Sequence, residues 1–168
     1  MLQSNTRTFE QGMGDDLHRR SVYTYWKRAC PPPSLLALDA PTREYCSVRR
    51  IATNTPLQAL VLWNDPQFVE ASRMLATRVL RDAASDNDRM DLLFRHATSA
   101  PPSDGVLEAA LEALTAYRLR YDEDPTSAAS LCDVGLIPRP ADLEATELAS
   151  WTMVANAVLA SDAAIVKD

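Results

Sequence analysis

The sequence predicts an all-α fold, an irregular helical bundle with a long proline/arginine-rich loop near its N-terminus. Three observations carry that expectation. Only 4 glycines stand against 11 prolines, whereas hairpin-rich proteins rely on glycine in their turns. Apolar residues recur at helical spacing over most of the chain after Pro56. A capping residue directly followed by proline occurs at Thr55-Pro56, Asp65-Pro66 and Asp124-Pro125. There the side chain accepts an orphan amide and proline has no amide to leave unsatisfied. At 168 residues the chain is the size of one domain, and about 150 residues suffice to bury roughly 70% of the unfolded surface.

Taken in order, residues 1–14 are polar, carry two glycines near their end and show no period, so they read as a flexible arm. A single helical domain is expected over 15–168. Leu17 to Ala29 satisfies both periods, with Val22, Tyr25, Trp26 and Ala29 at helical spacing and Val22, Thr24 and Trp26 alternating. Helix is the expectation. Its Tyr23, Tyr25 and Trp26 are then either core aromatics or, with Arg19, Arg20, Lys27 and Arg28 beside them, a docking surface for an anionic group.

Cys30 to Asn54 contains Pro31-Pro32-Pro33, which favours an extended polyproline form, then Asp39, Arg43, Glu44, Arg49 and Arg50. A loop of about 25 residues is long for a compact domain and is more often functional or partner-bound. Its arginines either pair internally with Asp39 and Glu44 or present a cradle to a carboxylate or phosphate.

The stretch from Arg49 to Leu80 holds the densest apolar run. A helix from Pro56, apolar nearly all round through Trp63, reads as the core helix. The chain then turns sharply at Asn64, and a second helix opens at Pro66. There Phe68, Val69, Leu75, Ala76, Val79 and Leu80 form the apolar face, and Glu70, Arg73, Arg78 and Arg81 the opposite one. After a polar break at 83–87, Asn87 or Asp88 is placed to cap a short helix with Met90, Leu93, Phe94 and Ala97. Ser103 opens the longest helix, to about Asp122, with Leu107, Leu111, Leu114, Tyr117 and Tyr121 on one face. Asp124-Pro125 starts a short helix ended by Gly135, and a last helix over 144–159 places Leu148, Trp151, Ala155 and Val158 at core spacing. The tail from Ser161 is expected to fray.

Charge and composition narrow the function. The net charge of −6 divides into +3 over residues 1–60 and −9 over the rest. An acidic chain of pI near 4.9 argues against wholesale nucleic-acid binding, which needs a basic face, and leaves room only for a local patch near the N-terminus; no nucleic-acid partner is expected. Cys30, Cys46 and Cys132 form no C-x-x-C pair, and His18 and His96 are the only imidazoles, so no zinc or haem-attachment spacing exists. Free thiols are expected, with a Cys30–Cys46 disulfide as the alternative in an exported protein. The longest apolar run, Ala59 to Trp63, is far below the ~20 residues that span a bilayer. No basic leader followed by an apolar run appears after Met1. His96 has no Ser, Cys or carboxylate at a supporting spacing and reads as structural.

Several blocks together are family-like: RRSVYTYWKR at Arg19–Arg28, then PPPSLLALDAPTRE, VRRIATNTPLQALVLWNDPQFVEASRMLA and PADLEATELASWTMVANAVLASD. They resemble the C-terminal part of the bacterial domain of unknown function 1553, a planctomycete-type family found in long proteins with cytochrome c-like domains. The resemblance implies no reaction, and no catalytic residue is carried over. It implies an exported, extracytoplasmic, multi-domain parent. A haem c belongs to other domains of such parents, and no cofactor or metal is expected in this chain. The chain then corresponds to a terminal portion whose partner is the upstream domain or another protein. It departs from the family at Leu159-Ala160-Ser161-Asp162-Ala163, where the family ends like L-N-L-D-E, and at Trp63, where leucine is common.

Two functional readings follow, with a purely structural cap as a third. The first is a non-catalytic helical interaction module docking through the Arg43–Asn54 loop. The second is an anion- or carbohydrate-binding or enzymatic domain. The candidate binding residues are Arg19, Arg20, Asp39, Arg43, Arg49, Arg50, Asn54, Gln58 and Asn64, a polar rim around the helix that begins at Pro56.

Overall fold

A computed structural model describes residues 9, 12, 14, 16, 20–27, 29–41, 46, 48, 53 and 55–165. Among them every regular element is helical, and no strand occurs. The chain divides into two compact units, Met1–Val61 and Leu62–Asp168.

In the first unit the expected helix over 17–29 is replaced, among the described residues, by a single 3-10 turn at Ser21–Tyr23. Arg20 supplies no side-chain cap, and Thr24 leaves the turn at ψ 131°. The physical reason is local. β-branched Val22 and Thr24 and three neighbouring aromatics all lose side-chain freedom in a helix, and no cap offsets that loss.

The proline run also departs from expectation. Helix α1, Pro33–Ala37, starts on its third proline, whose fixed φ suits a first helical turn. α1 closes in a Schellman arrangement. The Ala40 amide donates to the Leu35 carbonyl at 2.9 Å and the Asp39 amide to Leu36 at 3.3 Å, with Asp39 left-handed at φ +58°.

Helix α2 runs Pro56–Asn64, starting where the Thr55-Pro56 signal placed it. It is not the core helix. Leu57 and Leu60 are 57% and 59% exposed, whereas Leu62 is 7% exposed. Asp65 interrupts the helical path, and its Oδ1 accepts from the Gln67 amide at 2.9 Å to open α3, Pro66–Asp82.

The second unit continues with α4 (Asp86–Thr98), α5 (Asp104–Glu123), α6 (Pro125–Cys132), α7 (Ala145–Leu159) and α8 (Asp162–Ile165). α7 is the central helix and packs on α3, α5 and α6. Ala149, Ser150, Thr152 and Ala155 are fully or almost fully buried along it beside Leu148 and Trp151. Small side chains let neighbouring helices approach on every side, which α2, with its large Leu, Val and Trp residues, does not permit. The hydroxyls of Ser150 and Thr152 turn back to the carbonyls of Thr146 and Leu148, both at 2.7 Å, so these two buried hydroxyls are satisfied without a partner helix. Met90, Leu93, Leu114, Val79 and Ala128 complete the core.

Three local features also differ from expectation. α4 is capped by Ser85 rather than Asn87 or Asp88. Ser85 Oγ accepts from the Asp88 amide at 3.2 Å and donates to Asp88 Oδ2 at 2.5 Å. The tail forms a short helix, α8, instead of fraying directly after Ser161. On α3, Arg78 and Arg81 face water, but Glu70 and Arg73 are buried. Among the described residues no helix is long and apolar enough to cross a membrane.

Candidate functional site

The polar rim read from the sequence is assembled in part. Within the first unit Asp39 and Gln58 meet, 19 positions apart, through Gln58 Nε2 donating to Asp39 Oδ2 at 2.9 Å. The same oxygen accepts from the Thr53 amide at 2.9 Å and the Thr53 hydroxyl at 2.6 Å. One carboxylate oxygen, placed before residues 40–52, therefore gathers three donors from Thr53 and Gln58, which follow them. Bonds to an ionised acceptor are among the stronger ones available to a protein.

Gln58 is equally committed. Its Oε1 accepts from the Thr55 amide at 2.9 Å, while its own amide donates to Thr55 Oγ1 at 3.3 Å. This reciprocal pair is a capping box. Its Nε2 also donates to Thr53 Oγ1 at 3.0 Å. The buried Gln58 side chain thus joins the start of α2 to the end of α1.

Asp39 occupies the left-handed position that glycine usually takes after a helix. A non-glycine residue there costs about 1–2 kcal/mol, less for aspartate, which tolerates the region. Glycine would close α1 equally well but would carry no carboxylate to hold Thr53 and Gln58. The chemistry of the side chain explains the residue.

Of the remaining candidates, Arg20 is exposed at the start of the 3-10 turn, and Asn64 is exposed as the last residue of α2. Arg19, Arg43, Arg49, Arg50 and Asn54 lie outside the described residues. Cys30 is half-buried, Cys46 exposed and Cys132 buried, all as free thiols. Burial pushes the Cys132 thiol up to about 11, which keeps it protonated and unreactive. His96 is exposed on α4. Among the described residues no group of His, Cys, Asp and Glu is arranged to hold a metal ion.

Two polar clusters that sequence reading did not single out lie in the second unit. In the first, Glu70 and Arg73, one turn apart on α3, grip the connection between α6 and α7. Glu70 accepts from the Leu136 amide at 3.1 Å and the Ile137 amide at 2.6 Å. Arg73 donates to the Ile137 carbonyl at 2.5 Å and approaches Pro138 O at 3.5 Å. The two side chains lie 3.7 Å from each other. The ion pair is thus completed by backbone, which is what makes a buried pair tolerable. Gly135 turns the strap at φ +103°, and a Cβ there would meet the Glu70 carboxyl carbon at 2.6 Å. Arg73 Nε and Asn156 Oδ1 are buried without a partner among the described residues.

In the second cluster, Arg118 of α5 binds Asp86 of α4 at 2.6 and 3.1 Å and Glu147 of α7 at 2.8 Å through Nε. Trp151 Nε1 donates to Glu147 at 2.9 Å. The hydrogen bonds from Arg118 hold the Asp86 carboxyl below the usual range, and the paired carboxylates of Glu147 and Asp86 raise the arginine in turn. The first ties α3 to the connection that leads into α7, and the second ties α4, α5 and α7 to one another.

The fold and its polar clusters define, among the described residues, an all-helical protein in which Asp39, Glu70, Arg73, Asp86, Arg118 and Glu147 join elements and fix loops. Residues 1–114 match the family described as a protein of unknown function, DUF1553 (PSD1), and the chain belongs to that family. The match ends before the block from Pro140 to Asp162. No curated protein and no solved structure matches the chain significantly.

Proposed function

We propose that this chain is a non-catalytic helical interaction module, the C-terminal part of a larger exported protein, and that the segment from Arg43 to Asn54 is its docking surface. The observation that supports this reading is the Asp39 oxygen shared by Thr53 and Gln58. It fixes both ends of a segment that carries Arg43, Arg49 and Arg50. Loops anchored before binding lose less entropy when a partner arrives, and guanidinium groups suit carboxylate-bearing surfaces. The partner is the upstream part of the same polypeptide or a second protein. Export and the company of a haem-bearing domain follow from the family resemblance.

The test is recovery of partners by the parent protein, tagged, from its native extract. The Arg49→Ala/Arg50→Ala variant is compared with the parent and with Arg95→Ala, which alters an exposed ion pair on α4. Loss of a specific partner in the double variant alone is the expected result. An unchanged partner set overturns the reading.

A further inference from the structure

Gly105 is a glycine that the backbone does not require. It stands second in α5, where glycine is less favourable than alanine. Gly14 and Gly135 take left-handed φ and Gly105 does not, and a Cβ on it would meet no atom within 4 Å. Neither a turn nor a close approach accounts for it. What sets it apart is the residue before it, because Asp104-Gly105 is the one step in the sequence where glycine follows an aspartate or an asparagine.

The start of α5 leaves this step open. α3, α4 and α6 begin on side-chain caps from Asp65, Ser85 and Asp124, whereas Ser103 makes no cap hydrogen bond. The first amide of α5 to bond back is that of Leu107, to the Ser103 carbonyl at 2.9 Å. The Gly105 amide lies inside this first turn and has no intrahelical acceptor. Asp104 and Gly105 are both exposed, and among the described residues the Asp104 carboxyl has no hydrogen-bond or ion-pair partner. A frayed helix end opens at little cost in free energy.

We propose that Asp104-Gly105 is a modification site, at which aspartate converts spontaneously to isoaspartate. In the opened turn the Gly105 nitrogen attacks Cγ of the protonated Asp104 side chain. The N–Cγ bond forms, the amide proton and the carboxyl hydroxyl leave as water, and a five-membered succinimide results. Water then adds to the main-chain carbonyl carbon of Asp104, and the bond from that carbon to the Gly105 nitrogen breaks. The chain now runs through the former side chain, and the former main-chain carbonyl has become a carboxylate. No oxidant is needed, and the mass is unchanged. Glycine favours the step because no side chain screens its nitrogen and its backbone adapts to the ring. The product has one extra methylene in its backbone, so the turn that leads to Leu107, which packs on the core, loses its register.

The test is ageing of the full chain at neutral pH beside a synthetic peptide of residues 96–118, the tryptic fragment that contains the step. Isoaspartate splits this fragment into two chromatographic peaks of equal mass, and the new peak accepts a methyl group from an isoaspartyl methyltransferase. The native chain is expected to convert at Asp104 at a rate within about tenfold of the peptide. Gly105→Ala is expected to remove the second peak and to raise the melting temperature slightly. A native chain that converts more slowly than that, or not at all, overturns the proposal. So does a second peak that persists undiminished in Gly105→Ala.

Discussion

Gly135 and Glu70 constrain each other. The left-handed φ of +103° already disfavours any side chain, and the place a Cβ would take is held by a carboxylate fixed on two backbone amides. Gly135→Ala is therefore expected to lose on the order of 2–4 kcal/mol, read as a lowered denaturation midpoint with the slope unchanged. A loss below about 0.5 kcal/mol would mean that the strap can move away freely. In the sequence this glycine reads as a helix stop, and its real partner, 65 positions upstream, leaves no local signal. Thr55 and Gln58 are the opposite case. Their spacing is a capping box that a reader can find unaided, whereas the bond from Gln58 to Asp39 depends on tertiary closure. Asp39 itself is legible only as an acid near arginines, not as the residue that ends α1 and holds α2.

Among the elements, starts were more legible than burial. The proline-marked starts at Pro56, Pro66 and Pro125 are local chemistry, and α7 begins within a residue of its expected place. Which helix lies at the centre is not local. α2 is the more continuously apolar of the two by eye, yet α7 is buried because its small residues admit three neighbours at once. Leu60→Ala is accordingly expected to change stability by less than about 0.5 kcal/mol, and Leu148→Ala to cost about 2–5 kcal/mol, both from chemical denaturation. Equal costs would restore α2 to the core. Glu70 and Arg73 were misassigned to the solvent face for a related reason. Charge pattern alone places them outward, and only the return of the chain at Leu136–Pro138 supplies the backbone groups that let them be buried.

For the whole molecule, the Arg118 cluster links α4, α5 and α7 and gives stability a pH signature. Asp86 has a folded-state pKa below its ordinary 3.8, held there chiefly by hydrogen bonds from Arg118. Its contribution is therefore full above the unfolded pKa and is lost as pH falls through the folded one. Arg118→Met should be less stable at pH 7 by on the order of 2 kcal/mol, and that gap should narrow as the pH is lowered from about 5 to about 2. Denaturation midpoints across that range measure it, and a gap constant with pH would exclude the linkage. The all-helical class was legible from composition and period. The two-unit organisation was not, since the division falls inside α2, where the sequence shows no break.

The grip of Glu70 and Arg73 also bears on where this family's boundaries are drawn. Both residues lie within the matched stretch 1–114, and everything they hold lies beyond it. A chain cut at residue 114 would keep the two charges and lose the peptide groups that neutralise their burial, along with the whole of α7, against which Ala76, Val79 and Leu80 close. The family match ends at residue 114, but the compact unit that begins at Leu62 continues through α7. Any excision of this protein for expression should follow the buried charges rather than the alignment.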